Sequence, residues 1–108
     1  MFNGGVNHGR VLRYDTTGAF ASASSWSGYE AGNTDGLQTK GYLGAFYDGR
    51  NLFLVPNNIS NVPHARMLRY DTMADFITAS SWQAFDAGNI DSLETTKYCC
   101  GAFDGRYY

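Results

Sequence analysis

Strong charge of either sign is missing from this chain: 8 Lys and Arg stand against 10 Asp and Glu in 108 residues. Without a basic stripe there is little to draw a phosphate backbone, so nucleic acid is not expected as a partner. Long apolar runs are also missing. None approaches the roughly 18 residues that a bilayer-spanning helix needs, so no membrane span is expected. The opening Met1-Phe2-Asn3-Gly4-Gly5-Val6 has neither the basic start nor the apolar stretch of a secretory signal. Localisation is left open by that.

Reactive chemistry is sparse as well. The 2 cysteines, Cys99 and Cys100, are adjacent. Neighbours on a strand point to opposite faces, so this pair neither bridges readily nor chelates zinc together. They read as small apolar strand residues. There is no Gly-x-Ser-x-Gly nucleophile elbow and no glycine loop to cradle a phosphate. No motif calls for a cofactor. Helix signals are thin too: Asp75-Phe76-Ile77-Thr78-Ala79 offers barely a turn of suitable spacing and no caps.

Aromatic residues and glycine are what the chain has in quantity: 8 Tyr, 7 Phe, 2 Trp and 13 Gly. That mixture suggests short strands cut by tight turns. The chain also says nearly the same thing twice. Leu12-Arg13-Tyr14-Asp15-Thr16 returns as Leu68-Arg69-Tyr70-Asp71-Thr72, Ala23-Ser24-Ser25-Trp26 as Ala79-Ser80-Ser81-Trp82, and Ala31-Gly32-Asn33 as Ala87-Gly88-Asn89. The offset is constant (68 − 12 = 56). A period of that length marks stacked supersecondary units, none of which buries its apolar face alone.

Within one period, Asp48-Gly49 separates two aromatic-rich runs, Tyr42 to Tyr47 and Arg50 to Val55. Gly accepts positive φ and Asp tolerates it, so this is a hairpin signal. Pro56 ends the second strand, and the turn-rich stretch from Asn57 to Pro63 reads as a loop. Met67 to Asp71 alternates apolar and polar residues as a half-buried third strand, and Trp82 to Phe85 supplies a short fourth. Asp86 to Thr96 reads as loop, and the next hairpin is expected from Tyr98.

Each period is therefore predicted to be a four-stranded antiparallel unit. Residues 1–41 hold the third and fourth strands of a first unit with a connection, 42–97 a complete second, and 98–108 the start of a third. The chain is expected to be a slice of a longer array or a piece that must find partners, since unpaired edges invite other strands. The copies appear offset in two places. Leu93 to Lys97 reads as one residue longer than Leu37 to Lys40, and Ala102 to Asp104 as one shorter than Ala45 to Asp48. Cys99 and Cys100 then fall against Tyr42 and Leu43, and the last strand's alternation inverts unless a bulge absorbs the change.

Four-stranded units at this period point to a β-propeller, with sheets packed radially as blades. Tyr14 before Trp26, and Tyr70 before Trp82, resembles the kelch pattern, in which a third-strand Tyr precedes a Trp opening the fourth. The run Gly44-Ala45-Phe46-Tyr47-Asp48-Gly49-Arg50 is similar to bacterial propeller repeats with no assigned activity. The resemblance covers almost the whole chain. It implies that these Tyr and Trp residues pack between blades.

The two histidines, His8 and His64, share one repeat position before the third strand, with Arg10 and Arg66 beside them. Loops on one propeller surface often bind ligand, so these four form a candidate ligand face. Against that, an imidazole copied into every unit suits loop bracing better than catalysis, and each Arg is expected to brace Asp15 or Asp71. Ala31-Gly32-Asn33-Thr34-Asp35-Gly36 has part of a calcium loop's oxygen pattern but lacks the first carboxylate, and its copy puts Ser92 for the final Gly. An Asx-type turn is the better reading, so no metal is expected. Tyr14, Trp26, Tyr70 and Trp82 could stack on sugars, but their recurrence argues for packing. Asn58-Ile59-Ser60 matches a glycosylation acceptor, relevant only to a secreted chain.

These readings favour a non-enzymatic binding module with an unidentified ligand or protein partner. The alternatives are a piece of a glycan-acting propeller hydrolase or oxidase with its catalytic residues elsewhere, and a homo-oligomer closing a ring.

Overall fold

The computed structural model describes residues 2–3 and 6–108, and of Phe2 and Asn3 the backbone alone. The fold is all-β, built from antiparallel pairs, with no α-helix among the described residues. Strands β1 (Phe2–Asn3) and β2 (Val6–Asn7) form a short pair, followed by β3 (Arg10–Tyr14) and β4 (Trp26–Glu30). Next comes a small hairpin of β5 (Asn33–Thr34) and β6 (Leu37–Gln38). The second unit opens with β7 (Tyr42–Tyr47) and β8 (Asn51–Pro56), and a small hairpin of β9 (Asn58–Ile59) and β10 (Val62–Pro63) follows. Then come β11 (Arg66–Asp71), β12 (Trp82–Asp86) and a last small hairpin of β13 (Asn89–Ile90) and β14 (Leu93–Glu94).

The second unit is one four-stranded antiparallel sheet in the order β12-β11-β8-β7. Its Asp-Gly turn forms as expected: Asp48 Oδ1 accepts from Arg50 and Asn51 N–H at 2.9 and 2.6 Å, and Gly49 takes φ 103°. Period-two alternation sends Leu52 and Leu54, Leu68 and Tyr70, and Trp82 and Ala84 to one face. They form the core with Tyr42, Phe76 and Ala31, and Val11 and Tyr29 pack on it from the first unit. The first unit supplies only β3 and β4, whose register, Tyr14↔Trp26 to Arg10↔Glu30, repeats Tyr70↔Trp82 to Arg66↔Asp86.

Two stretches expected to be loops contain small hairpins, and a third hairpin forms where an Asx-type turn was expected. Asp35 and Gly36, Ser60 and Asn61, and Asp91 and Ser92 all take positive φ in pairs. That is the geometry of a two-residue type I′ turn, which matches the strand twist. Flanking strands of two residues carry no visible alternation, so composition alone hid them.

The strand expected at Tyr98 is not formed: residues 98–108 carry no regular strand and have no ladder partner among the described residues. The turn at its end does form. Asp104 Oδ1 accepts from Arg106 and Tyr107 N–H at 2.9 and 2.7 Å, and Gly105 takes the φ of 103° seen at Gly49. The segment crosses the other face of the second sheet, where Tyr108 lies 4.0 Å from the Phe46 ring centroid.

The expected insertion and deletion are absent from the repeat. Lys97 (φ 69°) takes the backbone conformation of Gly41 (φ 71°), and Asp104 stands 56 residues after Asp48. The offset of 56 thus runs ungapped, placing Cys99 and Cys100 opposite Leu43 and Gly44. The apparent shift came from pairing Lys97 with Lys40, when its backbone belongs with Gly41.

Candidate functional site

The turn before each third strand brings the histidines and arginines into a bracing network. His64 is buried, and its Nδ1 accepts from Arg66 N–H at 3.2 Å. That contact requires the tautomer with the proton on Nε2, which then donates to Lys40 O at 2.8 Å. Burial pushes the His64 pKa below its ordinary value, with the Arg66 charge acting in the same direction. His8 repeats the inner contact, its Nδ1 accepting from Arg10 N–H at 3.2 Å.

Gly41 links the two turns: its N–H donates to His8 O at 3.4 Å, and its carbonyl accepts from Asn57 N–H at 3.1 Å. Only glycine fits, because a Cβ there would fall 1.7 Å from Asn58 O. Tyr42 closes the same region, donating to Arg66 O at 2.6 Å, and burial holds its hydroxyl far above the usual tyrosine range.

Arg10 and Arg66 do not brace Asp15 or Asp71. Arg10 Nε sits 3.2 Å from Glu30 Oε2, and Arg66 Nε sits 3.6 Å from Asp86 Oδ2. Both acids lie directly across the strand pair from their arginine, whereas Asp15 and Asp71 lie at the far strand end, five residues away at roughly 3.3 Å each. Arg66 Nη1 also donates to Gln38 O at 3.3 Å. A depression of about 360 Å³ lies beside His64, Arg66, Asp86 and Thr96. The site predicted from sequence is thus assembled at one end of the strands, where both imidazoles hold turn backbone and both arginines face a carboxylate across the strand pair.

The opposite end carries a larger groove that sequence reading missed. It encloses about 730 Å³ and is lined by Asp35, Arg50, Arg69, Asp71, Ser80 and Gln83, among others. Arg50 grips Asp71 with two contacts, Nη2 to Oδ2 at 2.8 Å and Nε to Oδ1 at 3.2 Å, and so holds that carboxyl below its usual range. Arg69 donates to the Gln83 side chain. The first unit has a smaller groove of about 470 Å³, where Arg13, Asp15, Ser24 and Ser27 occupy the positions of Arg69, Asp71, Ser80 and Gln83, and no counterpart of Arg50 or Asp35 lines it. There Asp15 accepts from the Thr17 hydroxyl and N–H at 2.6 and 2.9 Å, which lowers its pKa. The clue was the recurrence of Arg-Tyr-Asp-Thr and Ser-Ser-Trp, which reads as scaffold until the end of the strand is seen to be open.

Tyr70 and Trp82 pack between the units as recurrence suggested, whereas Tyr14 and Trp26 pack within their own unit. Trp82 stacks between Tyr70 and Tyr29 at 4.8 and 4.9 Å, and its Nε1 donates to Phe76 O at 2.9 Å. Trp26 repeats this with Tyr14 at 4.7 Å and Phe20 O at 2.8 Å. Since Trp82 and Tyr70 are buried, they are no platform for a sugar. The stretch with a calcium-loop pattern is the β5–β6 hairpin, whose Asp35 Oδ2 accepts from Ala84 N–H at 2.8 Å on the neighbouring unit. Cys99 and Cys100 are exposed free thiols, their sulfurs 3.0 Å apart. Asn58 of the glycosylation-type triplet lies in β9 with its side chain on Asn57. No helix of the described residues is long and apolar enough to cross a membrane. Compared with family models, curated proteins and solved structures, the chain matches none.

Proposed function

We propose that the chain is a run of β-propeller-type blades, kelch-like in its Tyr and Trp positions, that serves as a non-enzymatic binding module. Its ligand face is the polar groove at the Asp71 end, rather than the turn around His8, Arg10, His64 and Arg66. The observation that carries this reading is the recurrence of the groove itself, about 730 Å³ in one unit and about 470 Å³ in the other. A surface repeated with the fold presents a row of similar subsites to an extended partner.

The groove's chemistry is mixed. Guanidinium groups, carboxylates, hydroxyls and an amide alternate along it, which suits the donors and acceptors of a polar peptide segment better than an apolar ligand. Peptides selected from a displayed random library on the intact chain provide the probe. Ser80 is exposed in the groove wall, so Ser80→Tyr would fill the space without touching the core. At least a tenfold loss of affinity for the selected peptides is expected. Peptides that bind Ser80→Tyr and the parent chain alike, or a library yielding no binder, would remove the groove as the ligand face.

A further inference from the structure

The interface between the first and second units is built from two different faces, and each face recurs on the far side of the molecule, where residues 98–108 cover the outgoing face at Phe46, Phe53 and Met67 and leave Phe85 open. On the inner side, the Tyr29 ring stacks on Trp82 at 4.9 Å and meets the edge of Phe76 at 6.2 Å. Arg13 places its guanidinium 4.4 Å above the Phe76 ring and reaches Tyr70 Oη at 3.5 Å. Asp35 accepts from Ala84 N–H. The outgoing face thus offers an aromatic ring, an arginine and an aspartate. The incoming face offers a Tyr-Phe-Trp pocket, a buried leucine and a strand N–H.

The outgoing set returns 56 residues later as Phe85, Arg69 and Asp91, and the incoming set stands 56 residues earlier as Leu12, Tyr14, Phe20, Trp26 and Gly28. Their local geometry is already in place. Tyr14, Phe20 and Trp26 form the same ring cluster as Tyr70, Phe76 and Trp82, with the same two hydrogen bonds closing it. What differs is cover: Phe20 lacks an adjoining unit, and Leu12 lacks in addition a strand at the place that β8 holds beside β11. Leu68 is 0% exposed and Phe76 2%, whereas Leu12 and Phe20 are each 69% exposed, and Phe85 is 63%. Apolar surface of this extent, preformed to a known mate, marks an interaction site.

We propose that a second copy of this chain covers that face, docking head to tail so that Phe85 of one copy stacks on Trp26 of the next. Arg69 then lies over Phe20 and reaches Tyr14, and Asp91 accepts from Gly28 N–H. The contact is heterologous, since one copy gives its outgoing face and the other its incoming face. Successive copies therefore close into a ring if the rotation per copy completes a turn, and otherwise extend into a filament. The inference rests on the duplicated interface and does not depend on the groove binding a peptide.

Sedimentation of the intact chain at increasing concentration tests it, with circular dichroism to verify folding. The parent chain should move from 11.9 kDa toward integer multiples of that mass. Leu12→Glu and Phe85→Glu each alter an exposed side chain, so each should stay folded and remain monomeric. An equimolar mixture of the two should form a 1:1 dimer that goes no further, because one variant keeps its outgoing face and the other its incoming face. A folded parent chain that stays monomeric at high concentration would overturn the proposal. So would assembly that persists in both variants, or variants that fail to pair when mixed.

Discussion

Leu12 and Leu68 are the same residue at the same place in the repeat, with opposite surroundings, and truncating each tests the packing directly. Leu68 lies on β11 between Leu54 of β8 and Ala84 of β12, wholly enclosed by the aromatic core. Leu68→Ala removes three buried carbons and leaves a cavity that the stacked Tyr70 and Trp82 rings cannot collapse into, which puts the cost at about 3 kcal/mol. Leu12 is 69% exposed, so Leu12→Ala should fall within about 0.5 kcal/mol of the parent chain. The difference, about 2.5 kcal/mol, corresponds to roughly sixtyfold in the folding equilibrium, at about 1.4 kcal/mol per factor of ten. Urea unfolding followed by tryptophan fluorescence would read it as a lowered midpoint with an unchanged slope. The measurement belongs at low concentration, because pairing of copies would take Leu12 out of water and raise the cost of its truncation by mass action. Equal costs for the two variants in dilute solution would refute the assignment of an inner and an outer face.

Two further outcomes follow from backbone and titration. Because burial depresses the His64 pKa in the folded chain, the unfolded chain takes up the proton first as pH falls through about 6.5. Stability is then full above that pH and declines below it, by at most about 1.4 kcal/mol per pH unit. His64→Asn should abolish this slope between pH 7 and 5.5 in urea midpoints, and a slope unchanged by the substitution would show that another group causes it. At Gly41, alanine meets both positive φ and a Cβ position 1.7 Å from Asn58 O, so Gly41→Ala should cost more than about 2 kcal/mol. Lys97→Gly at the matching position should instead stabilise by about 0.5 kcal/mol, relieving left-handed strain at some cost in chain entropy. Thermal melts by circular dichroism distinguish the two signs.

Much of the sheet was legible because its signals are local. Asp48-Gly49 demands a turn, and alternation in Met67 to Asp71 demands a half-buried strand; both formed where expected. The small hairpins were not legible, because strands of two residues leave no period to read. The ungapped repeat was hidden for another reason. Lysine at position 97 looks like the partner of Lys40, and nothing in its identity reveals that it has adopted a glycine's backbone angle. Tyr98 to Phe103 shows that strand propensity alone does not make a strand: a ladder needs a partner, and none is present among the described residues.

For the candidate site, recurrence was read as scaffold, and for His64 and Trp82 the structure gives the physical reason. Each spends its polar atoms on a backbone group of the neighbouring turn or of its own loop. Recurrence does not by itself mean burial, however. Residues at one repeat position share chemistry and local geometry, while their exposure depends on whether a neighbouring unit lies against them. Phe20 and Phe76 make the same ring contacts within their own units, yet Phe20 is 69% exposed and Phe76 2%. Tyr29 and Arg13 of the adjoining unit lie on Phe76, and nothing takes their place on Phe20 among the described residues. A repeat therefore encodes both sides of an interface in every copy, and whether a given copy buries them is decided by what lies against it.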